Sequence, residues 1–411
     1  MKKTTQYHPL TRRTALLAIA GSVAHLAGCG GGSDIAAISS GGTGSFTNGA
    51  ISGLGSIIVN GIRYDDSSAS VSGAVQSASA LRPGMVVTIK GSAVAAATSA
   101  GGLRTATASS IVSASEWKGQ VGAIGADSFT LLGMTVQIKP ATLFEGDSLS
   151  PLTGLAGPNP LLADHFVEVY GFIDPISGHL AATRVERKSG LADLGNEYRV
   201  SGVVQAKTSG DFTLKGSRAA PFAYDNTTKQ PQAWSAGMLV RVRLDTSFQA
   251  TRVEPAAAGA TEGIKDDQTF ELEGYVTALA ANSLAVNGVE IVIPTGRSFS
   301  GLTVGKRVEV KGTTAAGQLI AATVEVEGES SSYEGSDGKY EFHGTVSALL
   351  LDMGSGGSFT LKGTAFTYNS TTAVSSKLGW STTGTPYLDK VSVKASASNG
   401  VWLASKIDKE D

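Results

Sequence analysis

The sequence FTLLG at residues 129–133 determines the fold class, because it recurs with the same spacing along the chain. FTLKG stands at residues 212–216 and 359–363, and the related stretches IIVNG and LAVNG occupy residues 57–61 and 284–288. The five stretches begin at positions 57, 129, 212, 284 and 359, so successive starts are 72, 83, 72 and 75 residues apart. Self-similarity at a nearly constant interval is typical of repeat proteins, and it predicts five copies of one unit.

Three further landmarks accompany each stretch in a fixed order. A glycine followed by alternating apolar residues precedes it, and an alternating strand and an Ala-x-x-(Val/Ile) sequence follow it. The glycines are Gly49, Gly119, Gly202, Gly274 and Gly344, the strands begin at Met85, Phe166, Leu239, Arg307 and Lys390, and the alanines are Ala108, Ala182, Ala250, Ala321 and Ala404. Alternation with a period of two residues predicts half-buried β-strands.

Two of the stretches end in Asn-Gly, at residues 60–61 and 287–288. Both residues of this pair can adopt the positive φ angles that a type I′ hairpin turn requires. We therefore expect hairpins that pair residues 56–59 with 62–64, and residues 284–286 with 289–293.

Each unit then contains one strand, a hairpin, a long variable loop and a final pair of strands. Five strands in about 70 residues resemble a small closed or partly open barrel of the OB type, which leaves few exposed strand edges. A β-sandwich spanning two repeats is the alternative. The predicted repeats cover residues 45–116, 117–195, 196–265, 266–335 and 336–411. The polar segments Lys188–Glu197, Ala256–Gln268 and Gly328–Lys339 between them are candidate hinges.

The composition fits a folded chain with a modest net negative charge. Hydrophobic residues make up 41% and charged residues 17%, which is not the profile of a disordered polyelectrolyte. Without the four basic residues of the first 28 positions, 33 − 4 = 29 basic residues face 35 acidic ones, a net charge of −6. From this balance we expect no nucleic-acid partner.

Residues 1–28 read as an export signal. A basic start is followed by an apolar run over residues 14–28, too short to span a bilayer permanently, with small residues at its end. The run ends in Leu26-Ala27-Gly28-Cys29, which resembles the lipobox of bacterial lipoproteins and holds the one cysteine of the chain. The resemblance implies that Cys29 receives a diacylglyceryl thioether and becomes the mature N-terminus. An ordinary signal with a chance cysteine is the alternative.

Residues 29–44 follow as a flexible Gly/Ser-rich tether. Residues 11–16 also look like a twin-arginine signal, but Ala15 replaces its usual bulky residue, so the export route stays open. Gly30 stands where an Asp would favour retention in the inner membrane. We therefore expect a cell-envelope location, at the outer membrane, with several acyl chains for firm anchoring.

The repeated landmarks resemble the bacterial domain-of-unknown-function family 5666. Residues 305–312 and 212–216 match its pattern best, whereas Ile57 lacks the expected aromatic ring and Ala395 replaces an expected glycine. The resemblance covers most of residues 45–411. It implies a lipoprotein built of tandem β-domains and implies no activity.

Few residues suggest chemistry. His165 and His179 flank one predicted strand and could share a site with Asp164 or Asp174, although exposed strand-edge histidines are the simpler interpretation. His343 lies alone in the fifth repeat. We predict no catalytic residue, no metal site and no cofactor, because a triad or a metal site needs several convergent partners.

The four tryptophans stand at different places in their repeats and predict no recurring stacking platform. They are Trp117, Trp234, Trp380 and Trp402. The sequence thus indicates a lipid-anchored, non-catalytic structural or interaction module, which meets the membrane through Cys29 and has an envelope protein or a glycan as partner. The alternatives are a carbohydrate-binding or adhesion lipoprotein and a hydrolase with its site between repeats.

Overall fold

The computed structural model describes the chain in nine ranges, namely residues 44–98, 102–146, 152–216, 220–327, 340–352, 356–362, 364–378, 390–398 and 401–410. Within them lie 27 β-strands and two short 3-10 turns, Ala78–Ala80 and Leu191–Leu194. No helix in these ranges is long and apolar enough to cross a membrane. The predicted all-β fold class is confirmed. Cys29 and the lipobox residues Leu26, Ala27 and Gly28 lie outside the described residues.

The strands form five consecutive sets, here called barrels 1 to 5. Barrel 1 contains β1 (Ser45–Leu54), β2 (Ile57–Val59), β3 (Ile62–Asp65), β4 (Ser70–Gly73), β5 (Val86–Gly91) and β6 (Arg104–Ser113). Barrel 2 contains β7 (Trp117–Ile124), β8 (Ser128–Leu131), β9 (Met134–Glu145), β10 (Phe166–Ile173) and β11 (Leu180–Lys188). Barrel 3 contains β12 (Tyr198–Lys207), β13 (Asp211–Leu214), β14 (Phe222–Ala223), β15 (Leu239–Leu244) and β16 (Ala250–Pro255).

The last two barrels follow the same order. Barrel 4 contains β17 (Thr269–Ala280), β18 (Ser283–Val286), β19 (Val289–Val292), β20 (Arg307–Ala315) and β21 (Gln318–Val326). Barrel 5 contains β22 (Tyr340–Asp352), β23 (Gly356–Leu361), β24 (Thr364–Asn369), β25 (Ala373–Val374), β26 (Lys390–Ser398) and β27 (Val401–Lys409).

The strand connections are those of an OB-type barrel. In barrel 2, β7 pairs antiparallel with β8 and with β10, and β9 pairs in parallel with β11, which closes the circle. Barrels 1, 4 and 5 close in the same way, through β3–β6, β19–β21 and β24–β27. Barrel 3 is looser, because β14 has two residues and the contact with its last strand region consists of isolated bridges from Ala223 in β14 and from Lys229 in the loop that follows. The predicted series of small five-stranded barrels is therefore confirmed.

The first residue of each recurring stretch fills the interior of its barrel. Each of these five side chains is at most 2% exposed, and each belongs to a different copy of the repeat: Ile57, Phe129, Phe212, Leu284 and Phe359. Burying an apolar side chain of this size contributes about 1.5–3 kcal/mol. The stretch recurs because every barrel needs its own apolar side chain to fill its interior.

In barrels 1 and 4 the Asn-Gly turns explain the glycine of the first landmark. Asn287 and Gly288 have φ angles of 50° and 82°, and the predicted hairpin of β18 and β19 is formed. The Asn287 side chain donates from Nδ2 to the Glu273 carbonyl oxygen at 2.8 Å and accepts from the Tyr275 N–H at 3.1 Å. It therefore covers Gly274, where a Cβ would lie 2.0 Å from Nδ2. Asn60 sits over Gly49 in the same manner, with Oδ1 2.3 Å from the Cβ position.

One strand belongs to more than its own barrel. Residues 45–48 of β1 pair in parallel with residues 269–272 of β17, while the other side of β1 pairs with β5. Its last two residues, 53–54, pair in parallel with residues 341–342 of β22. Barrels 1, 4 and 5 consequently share one 17-stranded hydrogen-bonded sheet, and barrels 2 and 3 share a second sheet of 10 strands.

Charged side chains reinforce the junction of barrels 1 and 4. Arg104 forms a bidentate ion pair with Glu271, and its Nη2 also donates to the Asn60 carbonyl oxygen at 2.8 Å. The Ala50 N–H donates to Oε2 of Glu273 at 3.4 Å. Because both carboxylates are about 95% buried, removing one partner of these pairs would leave a costly unpaired charge.

Two of the candidate hinges are packed rather than free, so that prediction is wrong for them. In Lys188–Glu197, Leu194 is 1% exposed. In Ala256–Gln268, Ala257, Ala260 and Ile264 pack against the core of barrel 4. Polar composition indicated a hinge, but a few apolar side chains suffice to hold each segment on its neighbour. The third candidate, residues 328–339, lies outside the described residues.

Replacing Gly274 by alanine should lower stability by about 2 kcal/mol or more, because the new Cβ would displace the Asn287 side chain from its two hydrogen bonds. Chemical denaturation followed by circular dichroism would measure the midpoint. Gly210→Ala is the matched control, since nothing lies within 4 Å of its Cβ position. Equal midpoints for the two variants would contradict the role given to Gly274.

Glu309 should make the protein less stable as the pH rises. Burial raises its pKa from 4.5 to about 7, although Lys311 lies 3.1 Å away and opposes the shift. The other charged groups around it are Glu271 and Glu273 on β17, Glu325 on β21 and Arg104 of barrel 1. Because the folded state holds this proton more tightly than the unfolded chain, its stabilising contribution is complete below pH 4.5 and is lost as the pH rises through about 7.

Glu309→Gln should therefore raise the denaturation midpoint at pH 8 by the equivalent of roughly 1 kcal/mol and have little effect at pH 4.5. Lys311 keeps Glu271 at 4.0 Å as a partner in the variant. Glu290→Gln, an exposed position on β19, is the control and should leave the pH profile unchanged. A parallel shift of the whole profile by Glu309→Gln would refute the assignment.

Candidate ligand-binding groove

The two histidines considered as a pair lie far apart. His165 precedes the first residue of β10, and His179 lies beside its far end, where Leu180 pairs with Ile173. Eight residues of strand separate them by about 25 Å. The Nδ1 atom of His165 accepts the Leu162 N–H at 3.2 Å, and burial together with Arg187 lowers the pKa of His165. The structure therefore does not bring the two rings into one site.

His343 has partners that its sequence position did not reveal. Its ring is 7% exposed, with Nδ1 3.1 Å from Oε1 of Glu410 and Nε2 3.3 Å from Oε1 of Glu341. Glu410 also pairs with Arg63 of barrel 1 at 2.5 Å. Burial opposes the charge of Glu341, but the hydrogen bond with His343 lowers the pKa of Glu341 overall. This network of polar side chains joins barrels 1 and 5, with the His343 ring buried and its charged partners partly exposed.

A large groove lies where barrels 1, 2 and 5 meet. Its volume is about 1160 Å³. The loop between β3 and β5 supplies one wall, and the end of β9 with the loop that follows it supplies the second. Barrel 5 supplies the third wall through β24, β26 and β27. The groove is thus built from the variable loops of two repeats and the outer surface of a third.

Buried contacts between barrels 1 and 2 form the floor. Arg184 is 4% exposed and forms ion pairs with Glu145 and, at 2.5 Å, with Glu186. It also donates to the Pro83 carbonyl oxygen at 3.1 Å, and Thr183 Oγ1 donates to the Gly84 carbonyl oxygen at 2.6 Å. Burial lowers the pKa of Arg184, although its ion pair with Glu186 opposes the shift. The floor is therefore buried and polar.

Aromatic side chains form part of the walls. Trp402 is half-buried and packs edge-on against Phe342 and Tyr340, with centroids 4.9 and 5.2 Å away. The Tyr340 hydroxyl donates to the Ala141 carbonyl oxygen at 3.0 Å and so fixes this wall against barrel 2. Phe144 faces the same groove and is also half-buried. The indole is thus held in place with part of its surface open to solvent.

The groove carries an excess of positive charge. Four cationic side chains and two carboxylates line it, namely Arg82, Lys139, Arg184, Lys362, Asp66 and Glu145. Arg82 lies 3.9 Å from Glu145, whereas Lys139 is exposed and forms no ion pair in the described part of the chain. Burial raises the pKa of Asp66, and the charge of Lys362 partly offsets this rise. In the described residues, no group of three His, Cys, Asp or Glu side chains could hold a metal ion.

Sequence reasoning did not find this groove. Trp402 was considered only as part of a platform common to all repeats, and the structure uses it in one barrel alone. Trp117 is fully buried and donates to the Ser201 carbonyl oxygen at 2.8 Å, between barrels 2 and 3. Trp234 packs inside barrel 3 against Phe212, with centroids 5.1 Å apart. Trp380 lies outside the described residues.

Two solved structures that resemble the chain are a Drosophila protein titled "Unr CSD456" and a multidomain protein with nucleic acid binding domains from Streptococcus pneumoniae TIGR4. The first is 10% identical with a TM-score of 0.14, and the alignment covers 72% of this chain and 97% of that one. The second is 9% identical with a TM-score of 0.10, and the alignment covers 50% of this chain and 72% of that one. Scores this low support no argument about function. No curated protein matches the chain.

The exclusion of nucleic acid as a partner needs correction, because the charge of one groove differs from the charge of the whole chain. The exclusion rested on the net charge of −6, which is a property of the whole surface. A net charge does not determine the charge of one groove, and the groove described here is locally positive.

The family comparison covers three parts of the chain. The family described as "Domain of unknown function (DUF5666)" matches residues 118–186, 273–325 and 343–408. These segments contain nearly all the described strands of barrels 2, 4 and 5. The expected resemblance to this family is confirmed over these three segments.

Proposed function

We propose that this protein is a lipid-anchored, non-catalytic binding module of the bacterial cell envelope, and that its groove binds an acidic oligosaccharide. The observation that carries the proposal is the groove itself, in which a fixed indole and an excess of cationic side chains face the same space. The envelope location rests on the sequence of residues 1–44.

The chemistry of the groove favours a sugar chain that carries carboxylate or sulfate groups. The apolar face of a sugar ring stacks on aromatic rings such as Trp402 and Phe144, while polar neighbours satisfy its hydroxyl groups. Lys139 and Lys362 are exposed on two different walls, so both can reach charges along one chain. Positive charge in a cleft also speeds the encounter with a polyanion.

The size of the site supports the same conclusion. Small-molecule pockets usually have volumes of about 300–1,000 Å³, and this groove is slightly larger and open to solvent. An extended chain of several sugar units fits such a groove better than a single small metabolite.

Groove variants should weaken the binding of an oligogalacturonate to the full-length lipoprotein in detergent. We expect Trp402→Ala to reduce affinity about 10-fold, or about 1.4 kcal/mol, for acidic and neutral oligosaccharides alike. Lys139→Gln with Lys362→Gln should weaken only the acidic one and reduce the salt dependence of its binding. Calorimetric titration would measure both effects.

Lys229→Gln with Lys265→Gln removes the same charge elsewhere and is the control that should bind as the native protein does. A thermal melt of Trp402→Ala would verify that barrel 5 stays folded. A single-stranded oligonucleotide is titrated in parallel. If it binds through the groove lysines and no oligosaccharide does, the ligand class is wrong, and if neither binds, the groove has no such role.

Cys29→Ser should abolish lipid attachment. We expect cells fed labelled palmitate to show no label on the variant, which should leave the membrane pellet for the soluble fraction because its anchor is absent. The double variant Cys29→Ser with Ser33→Cys keeps one thiol four residues away and should behave in the same way, since that thiol lies outside the lipobox. Labelled Cys29→Ser protein in the membrane fraction would be incompatible with anchoring through this residue.

A further inference from the structure

A second cavity lies at the junction of barrels 1 to 4, apart from the groove. Its volume is about 340 Å³. Barrel 1 contributes one wall, β10 of barrel 2 another, and β17 with the β18–β19 turn of barrel 4 a third. The segment of residues 256–260, which follows β16 of barrel 3, forms its roof.

The interior of this cavity is apolar. Leu239 of barrel 3 is half-buried and lines the space, while Phe46, Phe172 and Leu272, each at most 3% exposed, close it from behind. Val112 is 43% exposed and lines the cavity from the outer surface of barrel 1. The roof consists of alanines and one glycine, and these small side chains leave the space that larger ones would fill.

One edge of the cavity is polar and positively charged. Asn48 donates from Nδ2 to Oγ1 of Thr88 at 3.0 Å, so these two side chains form a polar strip along β1 and β5. Lys90 continues the strip and donates to the Glu262 carbonyl oxygen. In the described part of the chain Lys90 forms no ion pair, so no carboxylate neutralises its ammonium group. The other cation of the cavity, Arg241, is paired with Glu116 at 3.2 Å.

We propose that this cavity binds a single-chain amphiphile with an anionic head, such as a fatty acid or a monoacyl phospholipid. The acyl chain would lie against Val112, Leu239 and the alanines of residues 256–260, and the head group would pair with Lys90. The volume of about 340 Å³ is near the lower limit for ligand pockets and suits one acyl chain. The contiguous apolar lining and the unneutralised cation at its edge match the two parts of such a ligand.

Titration of dodecanoate into the full-length protein, with displacement of a fluorescent fatty acid as a second readout, tests the proposal. We expect saturable binding that Val112→Trp weakens at least 10-fold, because the indole would occupy the cavity. Val401→Trp places the same side chain at another exposed strand valine, in barrel 5, and should bind dodecanoate as the native protein does.

Lys90→Gln should weaken dodecanoate binding and leave dodecanol binding unchanged, since only the acid carries a charge. A lysophosphatidyl lipid with a dodecanoyl chain distinguishes a free fatty acid from a monoacyl lipid as the preferred source of the head group. Absence of saturable binding by any of these compounds, or equal binding by Val112→Trp and Val401→Trp, would overturn the proposal. Oligosaccharide binding at the groove is measured separately, so either site can fail without the other.

Discussion

The main-chain pairing of β1 is the constraint on which the rest of this structure depends. A ten-residue strand near the start of the described chain forms hydrogen bonds with β17 and with β22, which lie more than 200 residues later in the sequence. Each pairing gives strand edges a partner and removes polar backbone groups from water. Barrels 1, 4 and 5 are thereby held together and are not independent domains.

The five copies differ most where they face one another. Inside every barrel the same apolar positions are buried, because a unit this small needs each of its few core side chains. On the outside, the residue before the landmark glycine takes a different role in each copy. Ser201 donates to the Glu116 carbonyl oxygen across barrels 2 and 3, and Glu273 accepts the Ala50 N–H across barrels 1 and 4. The same position of the repeat therefore makes a different contact at each junction.

The same packing creates two spaces of opposite character. The groove between barrels 1, 2 and 5 has a polar floor built on Arg184, whereas the cavity among barrels 1 to 4 has an apolar interior. Neither space exists within one barrel, since the interior of each barrel is filled by its own core. The affinity for a ligand at either place would therefore depend on how the repeats are assembled, and ligand binding would stabilise that assembly by mass action.

The amino-acid sequence by itself determined the strands, the Asn-Gly hairpins and the number of barrels, because period-two alternation and turn chemistry act over a few neighbouring residues. The burial of Phe129, Phe212 and Phe359 followed from the same local pattern. Only the tertiary structure decided which barrels touch, that Trp402 and Lys139 share a groove, and that His343 meets Glu410. These outcomes bring together residues that can be more than 250 positions apart in the sequence. No local spacing in the sequence encodes which outer faces of the barrels pack together.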